Sequence, residues 1–208
     1  HLQIRAVWDG QEVIRNYTPV TLIDARGYFE LLVKTYPQGR VSRFLDGLKV
    51  GETAEMRGPR GSFRYTSNQV RRIGMIAGGT GITPLLQVIK TVLGDPRDRT
   101  AISLLFANQT PGDVLLRAEL DALSDLHPDR FTVHYVVNDA ASDLEWPGSI
   151  GFVTRELIAE RLPGPGEDCR VLLCGPPPMM NAMLEHLQVL GFPPTSVPSK
   201  PTDQVFRF

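Results

Sequence analysis

The sequence predicts two domains of different classes, an antiparallel β domain over residues 1–68 and a parallel α/β domain over residues 69–208. The first third of the chain has short strand-like segments separated by turn residues, whereas the remainder alternates strands with longer helical segments. The pattern changes at the basic, turn-like stretch 66–72. A length of 208 residues is compatible with two small domains.

The composition is typical of a globular protein with a filled core, because 42% of the residues are hydrophobic and 22% are charged. The 22 basic residues nearly balance the 23 acidic ones, so no broad field attracts nucleic acid or an anionic membrane. No apolar run approaches the roughly 20 residues that span a bilayer. Cys169 and Cys174 flank a strand that a disulfide would have to fold back, which predicts free thiols and a reducing compartment.

Three segments of the first domain have recognisable patterns. Apolar residues alternate with polar ones over residues 2–6, and Asp9-Gly10 then favours a hairpin turn. Aromatic and branched residues over 29–36 predict another strand. Apolar spacing over 41–48 predicts a short helix, with Ser42 as its N-cap.

The second domain alternates strands and helices along its whole length. The predicted strands are 73–77, 101–106, 131–137, 171–173 and 205–208. The predicted helices are 84–93, 113–124, 155–161 and 178–190. This order is typical of a parallel sheet that binds a nucleotide at the carboxyl ends of its strands.

The stretch Gly78-Gly79-Thr80-Gly81-Ile82-Thr83-Pro84 lies between a predicted buried strand and a helix. Glycines let backbone amides approach a ligand closely, and Thr83 is placed to cap the helix ahead of Pro84. No lysine follows the glycines, which argues against an NTPase, and the spacing differs from the usual dinucleotide fingerprint. Alone, such a turn is as often structural as it is functional.

A second loop, Cys174-Gly175-Pro176-Pro177-Pro178-Met179, follows the last apolar strand. Taken alone, it reads as a rigid turn with a buried thiol. However, ligands of open α/β folds bind at the carboxyl edge of the sheet, where this loop meets the glycine turn. The two loops together therefore favour a ligand site.

The first domain contains Arg15-Asn16-Tyr17-Thr18-Pro19, in which Arg15 and Tyr17 share one face of a strand. Such a face can hold a phosphate and a ring system together, although an ordinary exposed strand fits equally well. Lys34 and Tyr36 repeat this alternation. The following Gly39-Arg40-Val41-Ser42 leads into a helix start, where free amides bind anions.

These motifs in this order resemble the ferredoxin reductase superfamily, most closely the NADH-cytochrome b5 reductase family and the related reductase module of nitrate reductase. The resemblance covers nearly the whole chain. It implies an enzyme that transfers hydride from NADH to FAD and then single electrons to a haem protein. The implied fold is a six-stranded antiparallel flavin-binding barrel followed by a parallel-sheet nucleotide-binding domain. The barrel is incomplete, because His1 matches a histidine near the third strand and about two strands are missing.

The resemblance also implies the residues of both cofactor sites. For FAD and its pyrophosphate they are His1, Arg15, Tyr17, Thr18, Pro19, Val33, Lys34, Tyr36, Gly39, Arg40, Val41 and Ser42. For NADH they are Gly79, Thr80, Thr83, Phe106, Asn108, Gln109, Asp139, Cys174, Gly175, Pro176, Met179 and Phe208, with the glycine turn beside both cofactors. No metal ligands are implied.

The resemblance further implies individual roles. Thr18 lies near flavin N5, Cys174 packs against the nicotinamide and Lys34 adds positive charge, while none of them acts as a general base. The family usually has Lys, Met and Pro where Arg40, Val41 and Asn16 stand. Asn138 occupies the place of an acidic residue that selects NADH, and Asp139, which follows it, would still repel a 2′-phosphate.

The implied acceptor is a haem protein such as cytochrome b5, with Lys34, Arg40 and Arg43 as docking cations or, alternatively, as ordinary solvated charge. Membrane contact would come only through a missing N-terminal anchor, at the cytosolic face of the endoplasmic reticulum or the mitochondrial outer membrane. A reductase module of a nitrate reductase-like enzyme and a redox-inactive nucleotide-binding remnant stay open as alternatives. No trailing cysteines suit an iron–sulfur cluster, which argues against an oxygenase reductase.

The missing strands also lead to an expectation about the isolated chain. A barrel without them has unpaired edges and an open core, so we expect the 208-residue chain to bind FAD weakly or to aggregate. A yellow, monomeric and stable chain would contradict this expectation.

Overall fold

The computed structural model describes residues 1–141, 143 and 145–208, and the chain divides into two compact units, His1–Ser62 and Phe63–Phe208. The division between the units and the predicted boundary after residue 68 both fall in the irregular segment 58–71. That segment connects the last strand of the first unit to the first strand of the second.

The first unit contains a three-stranded antiparallel sheet and one short helix. The strands are β1 (Leu2–Trp8), β2 (Gln11–Tyr17) and β3 (Glu55–Arg57), in the order β2-β1-β3, and the helix is α1 (Arg40–Asp46). Asp9 and Gly10 have φ angles of 49° and 73°, which confirms the predicted two-residue hairpin turn. A small buried core of Ile4, Ala6, Val13 and Val41 joins the sheet to the helix.

Two predictions for the first unit are wrong. Residues 29–36 form no strand beyond an isolated bridge between Pro19 and Leu31, because proline cannot donate a hydrogen bond and the Glu30 amide donates to the Thr21 hydroxyl instead of to a carbonyl. Ser42 is not the N-cap of α1. Gly39 holds that position, and the Ser42 hydroxyl donates back to the Gly39 carbonyl at 3.3 Å.

The second unit is built on a six-stranded parallel sheet with the order β7-β6-β5-β4-β8-β9. Its strands are β4 (Arg72–Gly78), β5 (Ala101–Asn108), β6 (Phe131–Val137), β7 (Ser149–Ile150), β8 (Cys169–Cys174) and β9 (Val205–Arg207). Its helices are α2 (Ile82–Gly94), α3 (Arg117–Leu126), α4 (Arg155–Arg161) and α5 (Pro177–Val189). The predicted fold class is confirmed, and β7 and β3 are strands that the sequence analysis did not identify.

The central strand β4 determines where the sheet opens. β4 pairs with β5 on one side and with β8 on the other, so the chain builds outward in both directions from this strand. From residue 73 onward β4 is buried, as expected of a strand covered on both faces. The strand order therefore creates a switch point, and its crevice lies at the carboxyl ends of β4, β5 and β8.

Helix starts differ from the prediction for local reasons. The predicted helix 113–124 begins only at Arg117, because Leu116 has a left-handed conformation with φ 57° and a separate 3₁₀ turn covers Pro111–Asp113. Thr83 is not the cap of α2, since its hydroxyl donates to the Thr80 carbonyl at 3.1 Å and Gly81 is the N-cap.

The predicted helix 155–161 is confirmed, as are the free thiols. Within the described residues, no helix combines the length and apolar character needed to cross a bilayer.

A buried polar network closes the amino-terminal end of the sheet. The Tyr65 hydroxyl donates to Asp98 at 2.5 Å, the Thr100 amide donates to the same carboxylate at 2.9 Å, and the Thr100 hydroxyl donates to the Val70 carbonyl at 2.8 Å. Asp98 is fully buried. Burial by itself raises the pKa of a carboxyl group, but the hydrogen bonds from Tyr65 and Thr100 outweigh it and hold the pKa of Asp98 below its ordinary value.

Replacing Tyr65 by Phe should destabilise the second unit by about 1.5–3 kcal/mol at pH 7, because a buried carboxylate loses a charge-assisted hydrogen bond. A lowered carboxyl pKa stabilises the folded state above the unfolded pKa of about 4, and this contribution is lost as the pH falls through the folded pKa. The difference between Tyr65→Phe and wild type should therefore shrink below about pH 4. Urea unfolding of the two proteins at pH 7 and below about pH 4 measures this difference in the free energy of unfolding. Tyr28→Phe, at a 64% exposed position, is the control, and equal stability of Tyr65→Phe and wild type at pH 7 would contradict the assignment.

Candidate functional site

The second unit brings its predicted site residues together at one edge of the sheet. We call this the carboxyl edge and define it as the loops that follow β4, β5, β6 and β8, which are residues 79–83, 109–110, 138–148 and 175–176, together with the strand-end residues beside them. In the register of the sheet, Ala77 is opposite both Phe106 and Cys174, and Asn108 is opposite Val137. The edge coincides with the switch point of the strand order, which is the usual ligand site of open α/β folds.

Two loops of the carboxyl edge touch through their backbones. A Cβ atom on Gly78 would lie 2.6 Å from the Met179 sulfur and 2.8 Å from Pro176, and one on Gly81 would overlap the Cys174 carbonyl. Gly79 has φ +52° and open space around it. The glycines are therefore required for two separate reasons, close approach of the loops and a left-handed turn.

Asn108, the last residue of β5, is a buried polar residue of the edge whose side chain lacks a partner among the described residues. Its side chain is only 7% exposed, yet neither its amide nitrogen nor its amide oxygen has a hydrogen bond among the described residues. An unsatisfied buried polar group costs about 1–3 kcal/mol, so a ligand that both donates and accepts at this position would recover that energy. The arrangement fits a nucleotide ligand.

The ends of β5 and β6 are fixed to each other. The Asn138 side-chain amide donates to Gln109 Oε1 at 3.0 Å, and the Asp139 backbone amide donates to the Gln109 carbonyl at 2.9 Å. The Asp139 carboxylate accepts the Ala141 amide at 2.7 Å and remains exposed. Gln109 and Asn138 are thus engaged with each other, and Asp139 presents a negative charge to the surface.

Cys174 ends β8 beside the glycine turn. Burial raises the pKa of its thiol to about 11, so the group is neutral at physiological pH. The amide of Phe208 donates to the Leu173 carbonyl at 3.0 Å, and the Phe208 ring packs on Phe63 and Phe206 with ring centres 5.2 and 5.0 Å away. The terminal aromatic therefore lies next to the end of β8.

Some predicted residues of the second unit present no side chain to a ligand. Phe106 has no exposed surface and packs on Tyr135, with ring centres 6.3 Å apart. Thr83 is also buried, and its hydroxyl donates to the Thr80 carbonyl within the glycine turn. Phe152, by contrast, has an exposed side chain, and it was not among the predicted site residues. Its ring is 79% exposed two residues after β7, and the one signal for it was an apolar ring after a glycine.

In the first unit, Arg15 and Tyr17 lie on one face of β2, as predicted. The Arg15 guanidinium donates to the Ile14 carbonyl at 2.8 Å and is exposed. Burial raises the pKa of Tyr17, and this half-buried ring packs on the small core. Thr18 follows β2 directly, and its half-buried hydroxyl has no hydrogen bond among the described residues. This face of β2 offers a cation and a ring, and the Thr18 hydroxyl comes directly after the end of the strand.

The predicted turn before α1 forms as a compact loop. The Gly39 amide donates to the Tyr36 carbonyl at 2.9 Å, and the Tyr36 amide donates to the Ser42 hydroxyl at 3.3 Å. Val41 is buried in the core, so it can offer a ligand only its backbone. The Arg40 guanidinium donates to Gln11 at 3.0 Å.

The remaining predicted residues of the first unit are placed as follows. Val33 and Lys34 are half-buried in the segment that lacks strand pairing. Pro19 forms its bridge with Leu31. His1 accepts a backbone hydrogen bond from Arg60 at 2.8 Å.

Comparison with known proteins identifies both units. Residues 1–65 match the family model described as the oxidoreductase FAD-binding domain, and residues 75–185 match the oxidoreductase NAD-binding domain. The chain is 51% identical to NADH-cytochrome b5 reductase 1 of Meyerozyma guilliermondii and to that of Scheffersomyces stipitis, over 100% of this chain and 72% of each relative. The cytochrome b5 reductase domain of Ulva prolifera nitrate reductase superposes with a TM-score of 0.87 at 37% identity, covering 100% of this chain and 83% of that one.

The fold and the matched domains define a flavin- and NAD-dependent oxidoreductase. The chain belongs to the NADH-cytochrome b5 reductase family. Its cofactors are FAD and NADH, and its chemistry is electron transfer from NADH to FAD. The resemblance inferred from the sequence motifs is confirmed.

Replacing Gly81 by Ala should destabilise the second unit by about 1–3 kcal/mol, because the added methyl group overlaps the Cys174 carbonyl. Gly81 has φ −62° and ψ −9°, which alanine adopts freely, so the cost arises from the contact alone. Urea unfolding measures it. Gly94→Ala is the matched control, since nothing lies within 4 Å of its added Cβ. Equal stability of the two variants would contradict the close contact of the loops.

Proposed function

We propose that this chain supplies electrons, drawn from NADH through FAD, to a haem protein of the cytochrome b5 type. The observation that carries the NADH half of the proposal is the buried amide of Asn108, unpaired among the described residues, at the end of the strand next to the glycine turn. Relatives named NADH-cytochrome b5 reductase support the choice of acceptor. The cytochrome b5 reductase domain of a nitrate reductase supports, as a second candidate, a reductase module that serves a similar acceptor within a larger enzyme.

For the nicotinamide nucleotide, we assign binding to the carboxyl edge. The turn at Gly79 and Thr80 offers backbone amides, and Asn108 offers its side-chain amide. Cys174 provides a neutral thiol surface, and Gly175, Pro176 and Met179 hold that loop close to Gly78. Phe106 and Thr83 support the edge from within the core.

For the adenosine end of the nucleotide, we assign selection between NADH and NADPH to Asp139 and stacking on the aromatic base to Phe152. An exposed carboxylate after β6 suits a ribose hydroxyl and repels a 2′-phosphate, which favours NADH over NADPH. A ring that is 79% exposed near the same edge is costly to leave in water and suits an aromatic base.

For FAD, we assign binding to the first unit. Arg15 is placed to hold a phosphate, Tyr17 to pack on a ring system, and Thr18 to donate a hydrogen bond from its unused hydroxyl. The turn at Gly39 contributes backbone amides, which Ser42 keeps in position. When bound, FAD accepts a hydride from NADH and releases its electrons one at a time.

The protein's own contribution is orientation rather than proton transfer. The thiol of Cys174 stays protonated at neutral pH, and the carboxylates in the described part of the carboxyl edge, Asp139, Asp143 and Glu145, all belong to the segment after β6. The lining of glycine, proline and methionine limits water at the ligand. Lys34, Arg40 and Arg43 are the proposed docking cations for an acidic acceptor, and Arg43 also stacks over the Trp8 ring at 4.8 Å.

The visible spectrum of the chain refolded with FAD tests the proposal. We expect the flavin bands to bleach when NADH is added without oxygen, and added oxidised cytochrome b5 to become reduced. Bound flavin that excess NADH leaves unbleached would refute the NADH half of the proposal. Binding of NADH by a chain that takes up no flavin would favour the redox-inactive alternative. Bleached flavin that does not reduce cytochrome b5 would refute the acceptor alone.

Cys174 should behave as a neutral contact surface and not as a nucleophile. With a thiol pKa of about 11, roughly one thiol in a thousand is ionised at pH 8. Alkylation of Cys174 by iodoacetamide, followed by peptide mass spectrometry, should therefore be slow at pH 8 and accelerate only above about pH 10. Free glutathione is the control thiol. Rapid labelling at pH 7 to 8 would show an activated thiolate and contradict this role.

A further inference from the structure

Arg117, the first residue of α3, lies over the rings of both Tyr135 and Trp146, which also contact each other. Its guanidinium carbon is 5.6 Å from the centre of the Tyr135 ring and 5.0 Å from the centre of the Trp146 ring. The two ring centres are 6.3 Å apart. A planar cation over the electron-rich faces of aromatic rings is attracted to each of them, so the three side chains form one stack.

The stack is anchored to the interior of the second unit. Tyr135 is on β6 and only 7% exposed, and its hydroxyl donates to Asp121 on α3 at 2.6 Å. The Asp121 carboxylate also lies 3.7 Å from the Arg117 guanidinium. Arg117 is therefore tied to β6 and to its own helix at the same time.

Trp146, the third member of the stack, lies near the end of the β6–β7 loop, residues 138–148. Its indole nitrogen donates to the Ser149 carbonyl at 3.2 Å, and its backbone amide donates to Asp143 at 3.2 Å. A Cβ atom on Gly148 would lie 2.8 Å from the indole nitrogen. The end of the loop is thus packed closely against the ring that rests on Arg117.

The same loop begins with the residues assigned to nucleotide selection. Asn138 and Asp139 are fixed to Gln109, and the Gly151 amide donates to the Val137 carbonyl at 2.8 Å where the chain returns to the sheet. One end of the loop is held by Gln109, and the other end is held by the stack. Between the two ends, the Asp143 amide donates to the Ala140 carbonyl at 2.8 Å and the Trp146 amide donates to Asp143, so hydrogen bonds among described residues connect the neighbour of Asp139 to the stack.

We propose that Arg117 is a positioning residue for NADH, which acts by holding the β6–β7 loop, through Trp146, in the conformation that presents Asp139 to the adenosine end of the nucleotide. This inference rests on the proposed function of the carboxyl edge. Arginine is needed because its planar guanidinium can lie over two neighbouring rings and pair with Asp121 at the same time, whereas the compact ammonium of lysine cannot. The contribution falls on nucleotide binding and selectivity, since Arg117 has no contact with the glycine turn or with Cys174 among the described contacts.

Titration calorimetry of NADH and NADPH into the full 208-residue chain tests the proposal without requiring bound flavin. Arg117→Met should raise the Kd for NADH about tenfold, which corresponds to about 1.4 kcal/mol. The Kd for NADPH should rise less, because a loosened carboxylate also repels the 2′-phosphate less. Arg117→Lys should recover only part of the loss. Hydrogen exchange in residues 138–148 should become faster in both variants.

Arg97→Met is the matched control, because that side chain is 89% exposed and, within the described part of the chain, pairs with Asp95 alone, two residues before it. A folded Arg117→Met chain with a lower melting temperature but wild-type affinity for NADH would overturn the proposal and leave Arg117 a purely structural residue. Trp146→Leu gives the same test from the other side of the stack if Arg117→Met does not fold, and unchanged NADH affinity there would likewise overturn it. A wild-type chain that binds no NADH would refute the proposed function itself.

Discussion

The contact between the glycine turn after β4 and the loop after β8 is the constraint on which the site depends. The chain builds the sheet outward from β4 in both directions, so the switch point of the strand order lies where the loops after β4 and β8 leave the sheet. They approach so closely that a methyl group at Gly78 or Gly81 has no room. This contact fixes the two loops relative to each other at the switch point and puts Cys174 and Met179 beside the glycine turn.

The polar groups of the carboxyl edge fall into two kinds, those that are hydrogen-bonded within the protein and those that keep capacity for a ligand. Gln109, Asn138 and the Asp139 amide satisfy one another and hold the ends of β5 and β6 together. Asn108, one residue away, is buried with both amide atoms unused. Because most buried polar groups in proteins have partners, a single unsatisfied amide within a rigid, satisfied frame points to a preformed ligand position.

The elements of the second unit could be predicted well because a buried parallel strand is a continuous apolar run bounded by turns, a signal contained within the strand itself. The failures depend on partners elsewhere. Residues 29–36 have a strand composition but lack a donor at Pro19, and the delayed start of α3 depends on the left-handed Leu116. Phe106 belongs to a strand covered on both faces, so its place in a motif did not make it a surface residue. Phe152 follows a strand of two residues, which is too short to show periodicity.

The two ends of the parallel sheet carry different kinds of polar group, and this difference separates stability from function. At the amino-terminal end, Tyr65 bonds to Asp98 and Arg72 pairs with Asp168 at 3.0 Å, so these four side chains have their partners within the protein. At the carboxyl-terminal end, Asn108 and Asp139 keep capacity for a ligand. A polar group that is already satisfied adds to folding free energy and cannot add again to binding, whereas one left unsatisfied costs stability until a ligand arrives. Nucleotide binding should therefore stabilise the second unit by more than its buried area alone implies, because it also removes the penalty at Asn108.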